Sequence, residues 1–203
     1  MDVVEQSAAS IIRSRGRDLG QLATLYRDND LQPPVVTLAP GAEDIPLPTH
    51  RTLWTWWIDK GGPEHLPPFD LISPATLKPF LGRLIVLEPI DDGADFRYRL
   101  YGSTIAQFVG MDFTGKLLSQ THALRRIPEV MIPCHLATFR AAIQARQALY
   151  MAEQREHAVT PYTWHRLLLP FAAADGSVGR VLLYTVPCEA DGNPLPAWRV
   201  SED

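Results

Sequence analysis

Residues 82–115 read GRLIVLEPIDDGADFRYRLYGSTIAQFVGMDFTG. An apolar run, Leu84 to Leu87, enters a turn at Asp91-Asp92-Gly93, and a second extended run follows at Phe96-Arg97-Tyr98-Arg99-Leu100-Tyr101. Gly102 and the Ser103-Thr104 pair then open a one-turn apolar helix, Ile105 to Val109, stopped by Gly110. This pattern predicts a β-hairpin leading into short helices. In the second strand Phe96, Tyr98 and Leu100 alternate with Arg97, Arg99 and Tyr101. One face is therefore expected to be buried and the other wetter.

Upstream, residues 49–81 predict a helical cap. Thr49 is placed to cap a helix carrying Leu53, Trp54, Trp57 and Ile58 on one face, ended by Gly61-Gly62. Ser73-Pro74 starts a second helix, with Leu77, Phe80 and Leu81 apolar. Residues 1–30 predict a two-piece helical extension: Ile11 and Ile12 fall in the first piece, and Leu19, Leu22, Ala23 and Tyr26 are spaced along the second. Residues 31–48 hold Pro33, Pro34, Pro40, Pro46 and Pro48 and predict an extended linker.

Downstream, Ile132, Leu136, Phe139 and Ile143 mark the buried stripe of a longer helix. Three strands are expected at Ala148 to His157, Tyr162 to Ala172 and Val178 to Val186, the last two joined by Asp175-Gly176. Residues 82–188 thus predict an α+β core, an antiparallel sheet of about five strands with helices on one face. The N-terminal helices and the tryptophan helix are expected to cover the other face. Residues 189–203 predict a flexible tail.

The 203 residues are 46% hydrophobic and 21% charged, with a net charge of −4. That composition suits a globular domain and offers no basic excess for nucleic acid or an anionic membrane. Cys134 and Cys188 have neither metal-site nor disulfide-framework spacing, which predicts a cytoplasmic protein. No apolar run reaches the roughly 18 residues of a membrane-spanning helix. Nucleotide-binding, hydrolase-elbow and zinc-protease motifs are missing, so no enzymatic activity is expected.

The order of strands and helices resembles that of PAS domains. Within them the chain resembles the bacterial PAS_5 family. The matching pieces are Leu53 to Trp57 with Gly61-Gly62 and Leu66-Pro67, Pro74 to Leu81, Asp95 to Leu100 with Gly102-Ser103, Gly110 to Gly115, and Arg166-Leu167-Leu168-Leu169-Pro170. The resemblance implies a signalling or ligand-sensing module. It would signal through protein–protein contacts, as a homodimer or with a signalling partner engaged by residues 1–30.

A small molecule in the cavity between sheet and helices would be lined by Tyr98, Leu100, Phe108, Met111, Phe113, Met131, Phe139, Tyr150 and Arg166. Arg166 shares its strand face with Trp164 and Leu168. Turned inward, it requires an anionic ligand or an internal acid. Neither haem nor flavin is expected: His135 lies beside the buried stripe and should face an edge, and Cys134 sits in Ile-Pro-Cys-His-Leu, outside a flavin-adduct motif. His157 and His165 could face each other across a hairpin but lack a third metal ligand. Two other readings stand beside the sensor: a ligand-free dimerisation or interaction module, and a small cone-fold enzyme with Glu153 as general base.

Overall fold

The structure is a computed structural model that describes residues 2–121, 129–155 and 161–196. It begins with α1 (Val3–Ser14), whose first turn is held by Asp2 accepting from the Glu5 backbone N–H at 2.9 Å. The helix ends where Arg15 adopts the left-handed conformation. Gly16 follows at φ +92°, and a Cβ there would collide with the Val36 carbonyl. Glycine at this position lets the chain turn directly against the first strand. The second helix, α2 (Gln21–Arg27), buries Leu22 and Tyr26.

The sheet has six strands, β1 (Val35–Leu38), β2 (Leu84–Ile90), β3 (Asp95–Tyr101), β4 (Leu149–Arg155), β5 (Tyr162–Ala172) and β6 (Val178–Cys188), in the spatial order β1-β4-β5-β6-β2-β3. Every neighbouring pair is antiparallel. The sixth strand, β1, comes from the segment expected to be a linker and pairs with β4. Pro33, Pro34 and Pro40 flank it rather than interrupt it, and an edge strand tolerates that. The end of β4 near His157 lies outside the described residues.

Helices cover both faces. On the first, α1, α2, α6 (Ser103–Val109) and α7 (Ile132–Ala145) pack on Leu38, Leu87, Phe96, Met151, Leu168 and Leu183. The N-terminal helices therefore share the α7 side, where α1 lies along α7, rather than the opposite face expected for them. The opposite face, built on Leu167, Leu169, Phe171, Leu182 and Tyr184, is covered by α3 (Pro48–Asp59), the one-turn α4 (Gly62–His65) and the short turns after it. Pro48 rather than Thr49 opens α3, its fixed φ suiting the first helical turn. The helix after Ser73 is a single turn, α5 (Pro74–Leu77), because Pro79 follows two residues on. Two side chains pin α3 to the sheet: the Trp57 indole donates to the Pro170 carbonyl at 2.9 Å, and His50 Nε2 donates to the His165 carbonyl at 3.1 Å.

Two further features affect the site. In β3 the register slips between Val86 and Leu87, so that Leu87 opposes Tyr98 while Val86 opposes Leu100, and Arg99 is the extra residue. A one-residue bulge exchanges the faces of everything beyond it. Tyr101, not Leu100, therefore joins Tyr98 inside. Within the C-terminal segment, Leu195 packs back against the sheet. That residue is buried, donates to the Pro187 carbonyl at 2.8 Å and accepts from Arg83 at 3.2 Å.

Trp57→Ala should lower unfolding free energy by about 3–5 kcal/mol, the range for removing a buried large aromatic. Trp54→Ala, on a half-buried position of the same helix, should cost clearly less. Urea denaturation of the two variants checks the assignment of α3 as the cover of the second face.

Candidate functional site

Glu153 is the centre of the site. It stands on β4 directly opposite Trp164 of β5, while Arg166 opposes Met151. Glu153 and Arg166 are thus diagonal neighbours on one sheet face, within reach of long side chains. The Arg166 guanidinium donates to Glu153 Oε2 at 2.7 Å. From α7, His135 Nε2 approaches the same oxygen at 3.3 Å. From α2, the Tyr26 hydroxyl donates to Oε1 at 2.6 Å. Arg155 lies at 4.0 Å. Glu153 and Tyr26 are completely buried, His135 is 4% exposed and Arg166 8%.

The electrostatics follow from this packing. Burial pushes the Glu153 carboxyl up, but Arg166 foremost, then His135 and Arg155, outweigh it and hold the group well below the usual carboxylate range. Burial lowers the His135 pKa below its ordinary 6.5, more than Glu153 raises it. The imidazole is therefore neutral at pH 7 and donates its Nε2–H to the carboxylate. Burial also raises the Tyr26 phenol, which stays protonated as a donor. The Cys134 thiol, next to His135 in sequence and packed near Tyr26, is pushed up to about 12 by burial. What forms is a closed node: one carboxylate, three donors, and contributions from the sheet, the long helix and the N-terminal extension.

An aromatic shell surrounds the node. Arg166 lies over the Trp164 ring at 5.2 Å, and Phe108 packs on Trp164 at 5.0 Å and on Tyr162 at 5.6 Å. His135 stacks on Phe139 at 5.9 Å. Thr185 faces Arg166 in register from β6, and its hydroxyl is buried with no hydrogen-bond partner among the described residues.

Of the nine residues expected to line the cavity, the structure brings Tyr98, Phe108, Met111, Phe113, Met131, Phe139 and Arg166 to this face. Leu100 does not join them: the bulge turns it outward, 40% exposed. Tyr150 does not either, because strand alternation sends it to the opposite face, where its hydroxyl meets His165 Nδ1 at 2.5 Å. His135, expected at an edge, is inside: it lies one turn before Phe139, stacks on that ring and reaches Glu153 on the sheet, while Leu136 is only half-buried. Glu153 is likewise not an exposed strand residue. It is the internal acid that Arg166 requires. Tyr26 carried no sequence signal beyond its place in an amphipathic helix. Among the described residues, no group of His, Cys, Asp and Glu is placed to hold a metal ion, and no helix is long and apolar enough to cross a membrane. His157 lies outside the described residues.

A five-strand antiparallel run in the order β4-β5-β6-β2-β3, with α6 and α7 between the two hairpins of the chain, is the architecture of a PAS domain. The PAS_5 family, described as a PAS domain, matches residues 46–184, and the chain belongs to that family. A solved structure titled "Structure of an RNA-binding Light-Oxygen-Voltage Receptor" is similar at 16% identity, with a TM-score of 0.37. The match covers 91% of this chain and 58% of that one. No curated protein matches the chain. As a PAS domain the protein is a sensory or signalling module in general character.

Arg166→Met should destabilise the protein by about 3–5 kcal/mol, since it leaves a buried carboxylate without its cation. The double variant Arg166→Met/Glu153→Leu should recover most of that loss. A double-mutant cycle in urea measures both. Acidification gives a second check. The folded-state pKa of His135 lies below 6.5 and that of Glu153 below 4.5. Each therefore contributes stability present above those values and lost as pH falls. Unfolding free energy should decline from about pH 6.5 downward, more steeply below about 4.5, as the unfolded chain takes up protons the native node refuses.

Proposed function

We propose that this PAS domain is a signalling module whose output is the docking state of its N-terminal helices. The observation that carries the reading is the Tyr26–Glu153 hydrogen bond, 2.6 Å long and fully buried. It joins α2, which precedes the family-matched region, to the charged node at the centre of the PAS core. A change in the node alters the contact that holds α2, and α1 moves with it. Release uncovers Ile11, Leu22 and Tyr26, an apolar set suited to a second copy of the chain or a signalling partner. The module acts without a catalytic step, in the cytoplasm, where its two buried cysteines stay reduced.

A second reading concerns the input. Six other expected lining residues share the sheet face with Arg166, and the Thr185 hydroxyl opposite it lacks a partner among the described residues. A small apolar molecule carrying an anionic group would compete with Glu153 for Arg166 and loosen the node. Native mass spectrometry of protein from its own host tests this reading. A bound mass that disappears in Arg166→Met supports it, and a clean apo mass removes it.

For the first reading, Tyr26→Phe removes one hydrogen bond to a charged group, worth about 1.5–3 kcal/mol. Amides of α1 and α2 should then exchange roughly tenfold to a hundredfold faster, with β4–β6 unchanged. Light scattering should report a rise in self-association or in partner capture. If α1 and α2 lose protection only together with the sheet, they are not a separately releasable unit and the reading is wrong.

A further inference from the structure

Glu153 has a second arginine neighbour that the closed node does not use. Arg155 ends β4, two residues beyond Glu153 and on the same face of the strand. It opposes Tyr162 in register. Its Nε comes within 4.0 Å of Glu153 Oε2, the oxygen to which Arg166 already donates at 2.7 Å. Arg155 forms no hydrogen bond and no other ion pair among the described residues. Its side chain is nonetheless only 14% exposed.

The charges around the carboxylate therefore do not cancel. Glu153 supplies one negative charge, and Arg166 meets it at bonding distance. His135 is neutral, and Tyr26 and Cys134 keep their protons. One positive charge is left over, on Arg155. A guanidinium carries five donors, and withdrawing them from water with none of them bonded is costly. The field of Arg155 reaches the first turn of α7, where it lowers the pKa of Cys134 and His135, and it lowers that of Tyr162 across the strand pair. Arg155 thus stands between the start of α7 and the β4–β5 ladder. It is more exposed than Arg166, at 9%, or Glu153, at 0%, so an anion entering from water meets it first.

We propose that Arg155 is the anion-binding residue of a site for small monocarboxylates with an apolar body. A carboxylate matches the planar guanidinium with two parallel hydrogen bonds. Its single charge completes the count left open by Arg166 and Glu153. A phosphate, carrying more than one charge at neutral pH, would set a surplus of negative charge beside Glu153. Tyr162, half-buried and packed by Phe108 at 5.6 Å, offers its ring to the apolar body. The site requires the inner face to admit a small anion, as the Arg166 reading does, but not that the anion displaces Glu153. A carboxylate on Arg155 leaves the Arg166–Glu153 and Tyr26–Glu153 bonds in place. It tightens the docking of α2, whereas a competitor at Arg166 loosens it.

The test uses the full chain and sodium hexanoate, with hexanol and inorganic phosphate as controls, in isothermal titration and urea denaturation. Hexanoate should bind saturably and raise the urea midpoint, and the two controls should do neither. Arg155→Gln should weaken hexanoate binding at least tenfold, roughly the loss of one charge-assisted pair. Arg99→Gln, which removes an exposed cation elsewhere on the sheet, should leave it unchanged. Without hexanoate, Arg155→Gln should unfold at the urea midpoint of the unaltered chain or above it, because it removes a cation that nothing bonds. Amide exchange in α1 and α2 should slow when hexanoate is present. Absence of hexanoate binding, or equal binding of phosphate, overturns the proposal. So does a loss of stability in Arg155→Gln that matches Arg166→Met, because it makes Arg155 a structural partner of Glu153. Binding that needs Arg166 but not Arg155, with faster exchange in α1 and α2, overturns it as well and leaves the Arg166 reading standing.

Discussion

A carboxylate without water must be met on every lone pair it offers, and Glu153 is such a group. Its charge is sustained by Arg166 at 2.7 Å, and its remaining acceptor capacity by Tyr26 and His135. Those partners come from β5, α2 and α7, so one side chain fixes how three separate elements sit relative to β4. Apolar packing alone tolerates sliding and rotamer exchange. A buried ion pair with two directional donors does not, since each displacement leaves a charge or a lone pair unmet. The position of the N-terminal helices is therefore tied to the chemistry of the core interior.

That tie also explains why the helices lie on the α7 side. Apolar area was available on both faces of the sheet. Yet the inner face holds the acid that Tyr26 can bond, while α3 fills the outer face with Trp57 and His50. The His50 ring is held neutral there, its pKa lowered to about 3 by burial. Each helical extension is thus assigned to a face by a polar anchor as well as by its apolar stripe.

The hairpin, the two short helices, the long helix and the three closing strands were legible from alternation, glycine stops and the 3–4 spacing of Ile132, Leu136, Phe139 and Ile143. The need of an inward Arg166 for an anion was legible too, though not that its strand face turns inward. Which acid was not legible. Glu153 becomes the diagonal neighbour of Arg166 only in one register of the β4–β5 hairpin, and register is a tertiary outcome. His135 was misplaced because Leu136 was read into the buried stripe, whereas the helix turns His135 and Phe139 to the sheet and leaves Leu136 half-buried, a rotation of the helix that only the acid on β4 reveals. The strand Val35–Leu38 was hidden by flanking prolines, whose composition reads as linker although none lies in the strand. Leu100 was misplaced because a bulge has no mark in an alternating pattern.

The bulge also separates the two faces functionally. Were Arg99 paired opposite Val86 instead of bulged, Leu100 would follow Tyr98 inward and Tyr101 would face solvent, as simple alternation dictates. With the bulge, Tyr101 closes the inner aromatic shell against Phe113 at 5.1 Å, while Arg99 and Leu100 move to the outer surface beside Glu88. The bulge therefore gives an aromatic to the interior and a cation with a leucine to the exterior. Because both changes arise from the same slip, deleting Arg99 should leave a regular ladder in which Leu100 still opposes Val86 outward and Tyr101 still opposes Ile85 inward, with the surface cation alone removed. The bulge is in this sense what keeps the interior of the sensor and its exposed β2–β3 face in place despite the extra residue.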